Sequence, residues 1–128
     1  MNFYQNKNCA HVPANKTIAL QSAVARQPVS ISVEADSLRF QFYSKGVFSG
    51  KCGIDLDHGI VLAGYGNLDG SDYWKCKNSW GADWGQKGYI LLARGEDGPG
   101  QCGVLMDNSV PLAWWFRRKI YHYNNLLA

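Results

Sequence analysis

The chain has 128 residues, 46% of them hydrophobic, which is enough for one core of ordinary domain size. Its formal charge of +3 is concentrated in Arg117, Arg118 and Lys119; elsewhere ten Lys and Arg balance ten Asp and Glu, which argues against a nucleic-acid partner. No apolar run approaches the roughly 18 residues of a membrane span, and MNFYQNKNCA lacks the apolar stretch of a secretory signal, so a soluble chain with no membrane partner is expected.

In chain order, Asn15 can cap a helix running to Gln27, because Leu20, Ala23, Val24 and Gln27 recur at helical spacing and Pro28 stops it. Asn15-Lys16-Thr17 is also a glycosylation sequon. Val29, Ile31, Val33 and Ala35 alternate with Ser30, Ser32 and Glu34, the period-two pattern of a half-buried strand. Further strands are predicted at His58–Gly64, Ser71–Lys77 and Gly88–Arg94, separated by turn-formers such as Asn67, Asp69, Gly70, Gly81 and Gly85. Asn67, Asp69 and Asp72 echo part of a calcium loop, but the glutamate and middle glycine are misplaced, so a hairpin turn is the reading. One helix followed by closely spaced strands predicts an α+β arrangement, an antiparallel sheet or small barrel with a helix against it.

Cys9, Cys52, Cys76 and Cys102 contain no C-x-x-C pair, and the histidines form no H-x3-5-H. Neither a metal nor another cofactor is therefore expected, and a disulfide is. His58 opens an apolar strand and Asn78 closes the next, so the two can meet at one end of a sheet. An asparagine amide oxygen accepting an imidazole N–H fixes tautomer and ring plane, the orienting role in a nucleophile-base-orienter triad. Spacing alone favours the plainer alternative, a structural histidine satisfied by a polar neighbour.

The blocks Gln27-Pro28-Val29-Ser30, Gly50-Lys51-Cys52-Gly53, Asp57-His58-Gly59, Gly64-Tyr65-Gly66, Lys77-Asn78-Ser79-Trp80-Gly81, Trp84-Gly85, Gly88-Tyr89-Ile90 and Gln101-Cys102-Gly103 resemble the papain-like cysteine peptidases, especially their plant members. They occur in the family's order over roughly Pro13 to Pro111. The resemblance implies the β-rich C-terminal half of a two-domain fold, a bent antiparallel sheet or half-barrel occupying residues 13–113. It implies that His58 is the base paired with a cysteine thiolate, that Asn78 holds its ring and that Trp80 roofs their hydrogen bond. Asp57 either stabilises the imidazolium or is a solvated turn acid. Cys52 and Cys102 match the cysteines that the family joins in this half. Ser32, Leu56 and Gly59 would line the pocket for the second substrate residue before the scissile bond, with Asp107 at its base or turned to solvent.

The pattern breaks at three places. No C-G-S-C-W type segment precedes His58, although the family's nucleophile lies about 130 to 150 residues upstream of its histidine. The oxyanion glutamine is missing with it, and Cys9, followed by Ala10 and His11, lacks the nucleophile's context. Residues 1–12 diverge, and residues 114–128, an aromatic and basic tail, match no family terminus; an altered reading frame or retained intron is the simplest account of that tail. Three readings remain open: a peptidase half acting on peptide or protein substrates only beside a helical half-domain, a non-catalytic binding or regulatory remnant, and a truncated product without function. The family's habits and a disulfide imply a secretory, vacuolar, lysosome-like or extracellular location.

Overall fold

The computed structural model describes residues 4–5 and 8–112, so the aromatic and basic tail at 114–128 lies outside the described residues, as do residues 1–3 and 6–7 of the N-terminal segment. Strands β1 (Tyr4–Gln5) and β2 (Cys9–His11) open the chain as an antiparallel pair. Helix α1 (Thr17–Val24) follows and buries Ala19, Leu20, Ala23 and Val24. Asn15 does not cap it. Asn15 sits in a left-handed turn at φ 62°, and Lys16 occupies the cap position without a side-chain bond. The Thr17 N–H instead donates to Asp97 Oδ1 at 2.9 Å, while Thr17 Oγ1 donates to the carbonyls of Gly95 and Glu96. A carboxylate 80 residues away thus does what a local cap would do, satisfying an orphan amide and complementing the helix dipole. The helix also ends before Gln27, where the Arg26 N–H turns in to Ala23 O, a tightened last turn ahead of Pro28.

Strand β3 (Val29–Val33) alternates as predicted, with Val29, Ile31 and Val33 buried. Two short elements carry no period that sequence could show: α2 (Leu38–Gln41), capped where Ser37 Oγ accepts the Phe40 N–H at 3.2 Å, and β4 (Val47–Phe48). Strand β5 (His58–Leu68) runs four residues beyond Gly64, passing a bulge between Leu62 and Gly64. It turns back through Asp69 and Gly70, both at positive φ, into β6 (Ser71–Lys77). That is the mirror-image turn that Asp-Gly favours, and Asn67 Oδ1 closes it by accepting the Gly70 N–H at 3.0 Å. The hairpin reading of this segment is therefore borne out. Strand β7 (Tyr89–Ala93), a 3-10 turn at Gln101–Gly103 and β8 (Asn108–Pro111) complete the fold.

The sheet order is β1-β2-β8-β3-β5-β6-β7-β4. All neighbours are antiparallel except the edge pair β4 and β7, which run parallel. The last strand thus returns to the middle, between β2 and β3. Register puts Val29 opposite Leu62, Leu62 opposite Cys76 and Cys76 opposite Ile90, one continuous apolar row across four strands. With Trp74, Leu92 and Leu20 these side chains form the buried core. The β-rich α+β class expected from the sequence is the fold observed.

Candidate functional site

His58 is the first residue of β5, and Asn78 directly follows β6. Because β5 and β6 are antiparallel neighbours, the start of one adjoins the end of the other. His58 Nε2 lies 2.7 Å from Asn78 Oδ1. Oδ1 can only accept, so Nε2 carries the hydrogen and donates, which leaves Nδ1 as the basic nitrogen of the neutral ring. Asn78 is itself held: its Oδ1 also accepts the Ser79 N–H at 2.7 Å, and its own N–H donates to Gly88 O. Its side chain is buried, whereas His58 is half-buried, so the amide is fixed and the imidazole remains accessible.

Trp80 stacks on the imidazole with centroids 5.0 Å apart and planes 29° apart. A ring in that position keeps water from the His58–Asn78 bond and strengthens it by lowering the local dielectric. Trp80 is 41% exposed, so its outer face remains open. Behind it, Phe40 and Trp84 meet it edge-on at 5.8 and 5.1 Å, and Trp84 Nε1 donates to Gln41 O. Sequence reasoning missed Phe40 and α2, although Ser37 three residues before Phe40 is a legible cap signal. Tyr43 extends the cluster, and its hydroxyl donates to Gly46 O and receives the Leu91 N–H. Burial raises the Tyr43 phenol above its ordinary range, partly offset by the Leu91 bond.

Asp57 is exposed, and its Oδ1 accepts the Ala35 N–H at 2.8 Å. Its carboxylate is thereby tied to the end of β3, an anchoring position that neither sequence reading anticipated. The four residues assigned to a substrate pocket come only partly together. Ser32 and Gly59 are direct partners across β3 and β5, and the Ser32 N–H donates to Asp107 O at 3.3 Å. Leu56 approaches from another side, packing over Gly103. The Asp107 side chain is exposed and lines an open hollow of about 310 Å³ with His11, Pro13, Met106 and Asn108.

Cys52 and Cys102 form a disulfide with Cα atoms 4.9 Å apart, as the resemblance implies. Cys102 adopts φ 55°, and Gly103 follows at φ 75°. A Cβ at Gly103 would meet Leu56 Cδ2 at 2.6 Å and would sit on backbone at positive φ, so a side chain there would be strained and would displace the end of Leu56. Cys76 is fully buried, which pushes its thiol far up and makes it a small hydrophobe rather than a reactive group.

Comparison with known proteins agrees with this geometry. The family model described as "Papain family cysteine protease" matches residues 1–112. "Cysteine endopeptidase RepA" of Oryza sativa subsp. japonica is 57% identical over 104 residues, which is 79% of this chain and 28% of that protein. A KDEL-tailed cysteine endopeptidase of Arabidopsis thaliana is 52% identical over 102 residues, again 79% of this chain and 28% of the relative. The bromelain protease of Ananas comosus superposes with a TM-score of 0.78 at 42% identity, covering 81% of this chain and 49% of that one. The chain therefore spans under a third of the length of these curated relatives, and with their shared motifs and the matching β-rich fold it belongs to the papain family of cysteine proteases.

Proposed function

We propose that this chain is the base-bearing half of a papain-type cysteine peptidase, active on peptide or protein substrates only beside a helical half that supplies the cysteine nucleophile. The observation that carries the reading is the His58–Asn78 bond of 2.7 Å beneath Trp80. With Nε2–H committed to Asn78, Nδ1 can take the proton of an incoming cysteine thiol and form a thiolate–imidazolium pair. The thiolate attacks the scissile carbonyl, and the imidazolium returns its proton to the leaving amine. Water then attacks the acyl-enzyme, losing a proton to the same nitrogen. Asp57, the residue before the base, acts here by tying the chain to the end of β3 through the Ala35 N–H.

None of the cysteines in this chain fits the role of nucleophile. Cys52 and Cys102 are bonded to each other, Cys76 is buried, and Cys9 lies on β2, outside the family's cysteine motif. The chain by itself is accordingly inactive, lacking both thiolate and oxyanion glutamine. In the assembled enzyme, Ser32, Leu56 and Gly59 favour an apolar second residue, and the exposed Asp107 carboxylate also admits Arg or Lys by charge pairing. The Cys52–Cys102 bond and the kinship with a KDEL-tailed relative support a secretory-pathway or vacuolar location.

The test incubates the purified chain, under reducing conditions, with a fluorogenic peptide carrying an apolar second residue. A separately produced helical half from a related enzyme is then added, with His58→Ala as the control. Activity should appear only with the added half and vanish in His58→Ala. Turnover by the chain alone that His58→Ala abolishes would overturn the reading, as would silence of a complex that demonstrably assembles.

A further inference from the structure

The segment 50–57 delivers Leu56, Asp57 and His58 to the site, yet it contains no helix or strand of its own. The end of β3 holds it. The Asp57 N–H donates to Val33 O at 3.1 Å, and the Ala35 N–H donates back to Asp57 Oδ1 at 2.8 Å. Glu34 lies between those two contacts, and its side chain turns to the same loop, where Oε2 accepts the Asp55 N–H at 2.9 Å. The Glu34 N–H donates in turn to Cys102 O at 2.8 Å, so its backbone is fixed where the carboxylate is aimed.

Gly53 completes the arrangement. It is not among the positive-φ residues, so conformational freedom is not what the position requires. A Cβ there would fall on the Glu34 carboxylate, whose Cδ and Oε1 both lie 2.6 Å from that point. The missing side chain is the space the carboxylate occupies. A carboxylate accepting a backbone N–H is among the stronger hydrogen bonds available to a loop. Leu56 is thereby pinned from both sides, by Glu34 through Asp55 and by β3 through Asp57.

We propose that Glu34 is a positioning residue for substrate selection: by holding the Asp55 amide across Gly53, it sets Leu56 as a wall packed over Gly103 beside Ser32 and Gly59. The link to selection rests on the proposed peptidase reading, whereas the clamp itself does not. Three variants of the full chain separate the two: Glu34→Ala, Glu34→Gln and Gly53→Ala. Asp55 is exposed, so its amide protection depends on this one bond. Hydrogen exchange at Asp55 should rise about tenfold or more in Glu34→Ala and in Gly53→Ala. Glu34→Gln, which retains an acceptor oxygen, should stay near the wild-type rate.

Combining Glu34→Ala with Gly53→Ala should add nothing to Glu34→Ala alone, because both remove one interaction. The amides of Ile60 and Leu62 report global unfolding, and should Glu34→Ala fail to fold, Gly53→Ala carries the test. The methyl-to-α-proton cross-peak between Leu56 and Gly103 should weaken in Glu34→Ala and persist in Glu34→Gln. Unchanged Asp55 exchange in the alanine variants overturns the clamp, and a preserved Leu56–Gly103 cross-peak despite fast exchange overturns the positioning of the wall. In the complex with a helical half, Glu34→Ala should change the preference between large and small apolar second residues through KM, with restoration in Glu34→Gln. An unchanged preference overturns the role in selection, whereas inactivity of the wild-type complex counts against the peptidase reading and leaves the exchange result standing.

Discussion

Asn78 is the side chain that holds the His58 ring. A single oxygen accepts from both the imidazole and the Ser79 N–H, so the amide cannot rotate without losing two bonds at once. Replacing it in Asn78→Ala removes the only partner described for Nε2–H and lets both neutral tautomers populate. Nitrogen-15 spectra of the chain should show one dominant tautomer in the wild type and a mixture in the variant. In the proposed assembly with a helical half, loss of ring alignment should lower kcat on the order of 10²-fold with little change in KM. An unaltered tautomer ratio would show that Trp80 stacking alone orients the ring. The Asp57-His58-Gly59 and Asn78-Ser79-Trp80 blocks made this pair legible in sequence. The destination of the Asp57 carboxylate was not legible, because Ala35 is near in space but 22 residues away along the chain.

Among the elements, α1 has only 8 residues, too few to persist by propensity, and depends on packing and on a borrowed cap. Asp97→Ala removes the acceptor of the Thr17 N–H and should destabilise the fold by about 1 kcal/mol, read as a lower denaturation midpoint at unchanged m-value. The Lys16–Asp97 ion pair, 3.6 Å long between exposed side chains, should add little, so Lys16→Ala should be nearly silent. In β6, Cys76 supplies a pH dependence of the opposite kind to that of a paired carboxylate. Burial raises its thiol pKa in the fold above the ordinary 9.0, so the unfolded chain releases this proton first. Its contribution is full below about pH 9 and is lost as pH rises further, by at most about 1.4 kcal/mol per pH unit. Cys76→Val should flatten that alkaline loss. Tyr43, raised in the same direction by burial, should leave a smaller loss that begins near its ordinary 10.0. A slope in Cys76→Val equal to that of the wild type would place its origin elsewhere.

For the whole molecule, the Cys52–Cys102 bond ties the loop that leads to His58 to the 3-10 turn beneath Leu56, across a separation of 50 residues. Closing a loop of that length contributes roughly 4 kcal/mol by restricting the unfolded chain. The double variant Cys52→Ala with Cys102→Ala should lose stability of that order, and most of the loss should appear as faster unfolding if the two segments dock late in folding. Thermal midpoints within experimental error of the wild type would show that the β3 contacts suffice to hold the loop. The topology concentrates these demands because β8 returns to the middle of the sheet, beside β3, and brings Asp107 O to the Ser32 N–H.

The amino-acid sequence by itself determined the α+β class, the alternation of β3, the limits of β6, the Asp-Gly hairpin and the identity of the His58–Asn78 pair. These rest on local period, turn chemistry or short blocks of motif, all of which are written in neighbouring residues. Tertiary structure alone decided that Asp97 rather than Asn15 caps α1, that β8 inserts between β2 and β3, and that β4 runs parallel to β7. It also decided that Phe40 and Trp84 back Trp80, and that Glu34 occupies the space left by Gly53. Apart from the Trp80–Trp84 contact, each of these joins residues far apart along the chain, and short elements such as α2 and β4 bury too few side chains to leave a period. Their positions follow from which surfaces the core brings together.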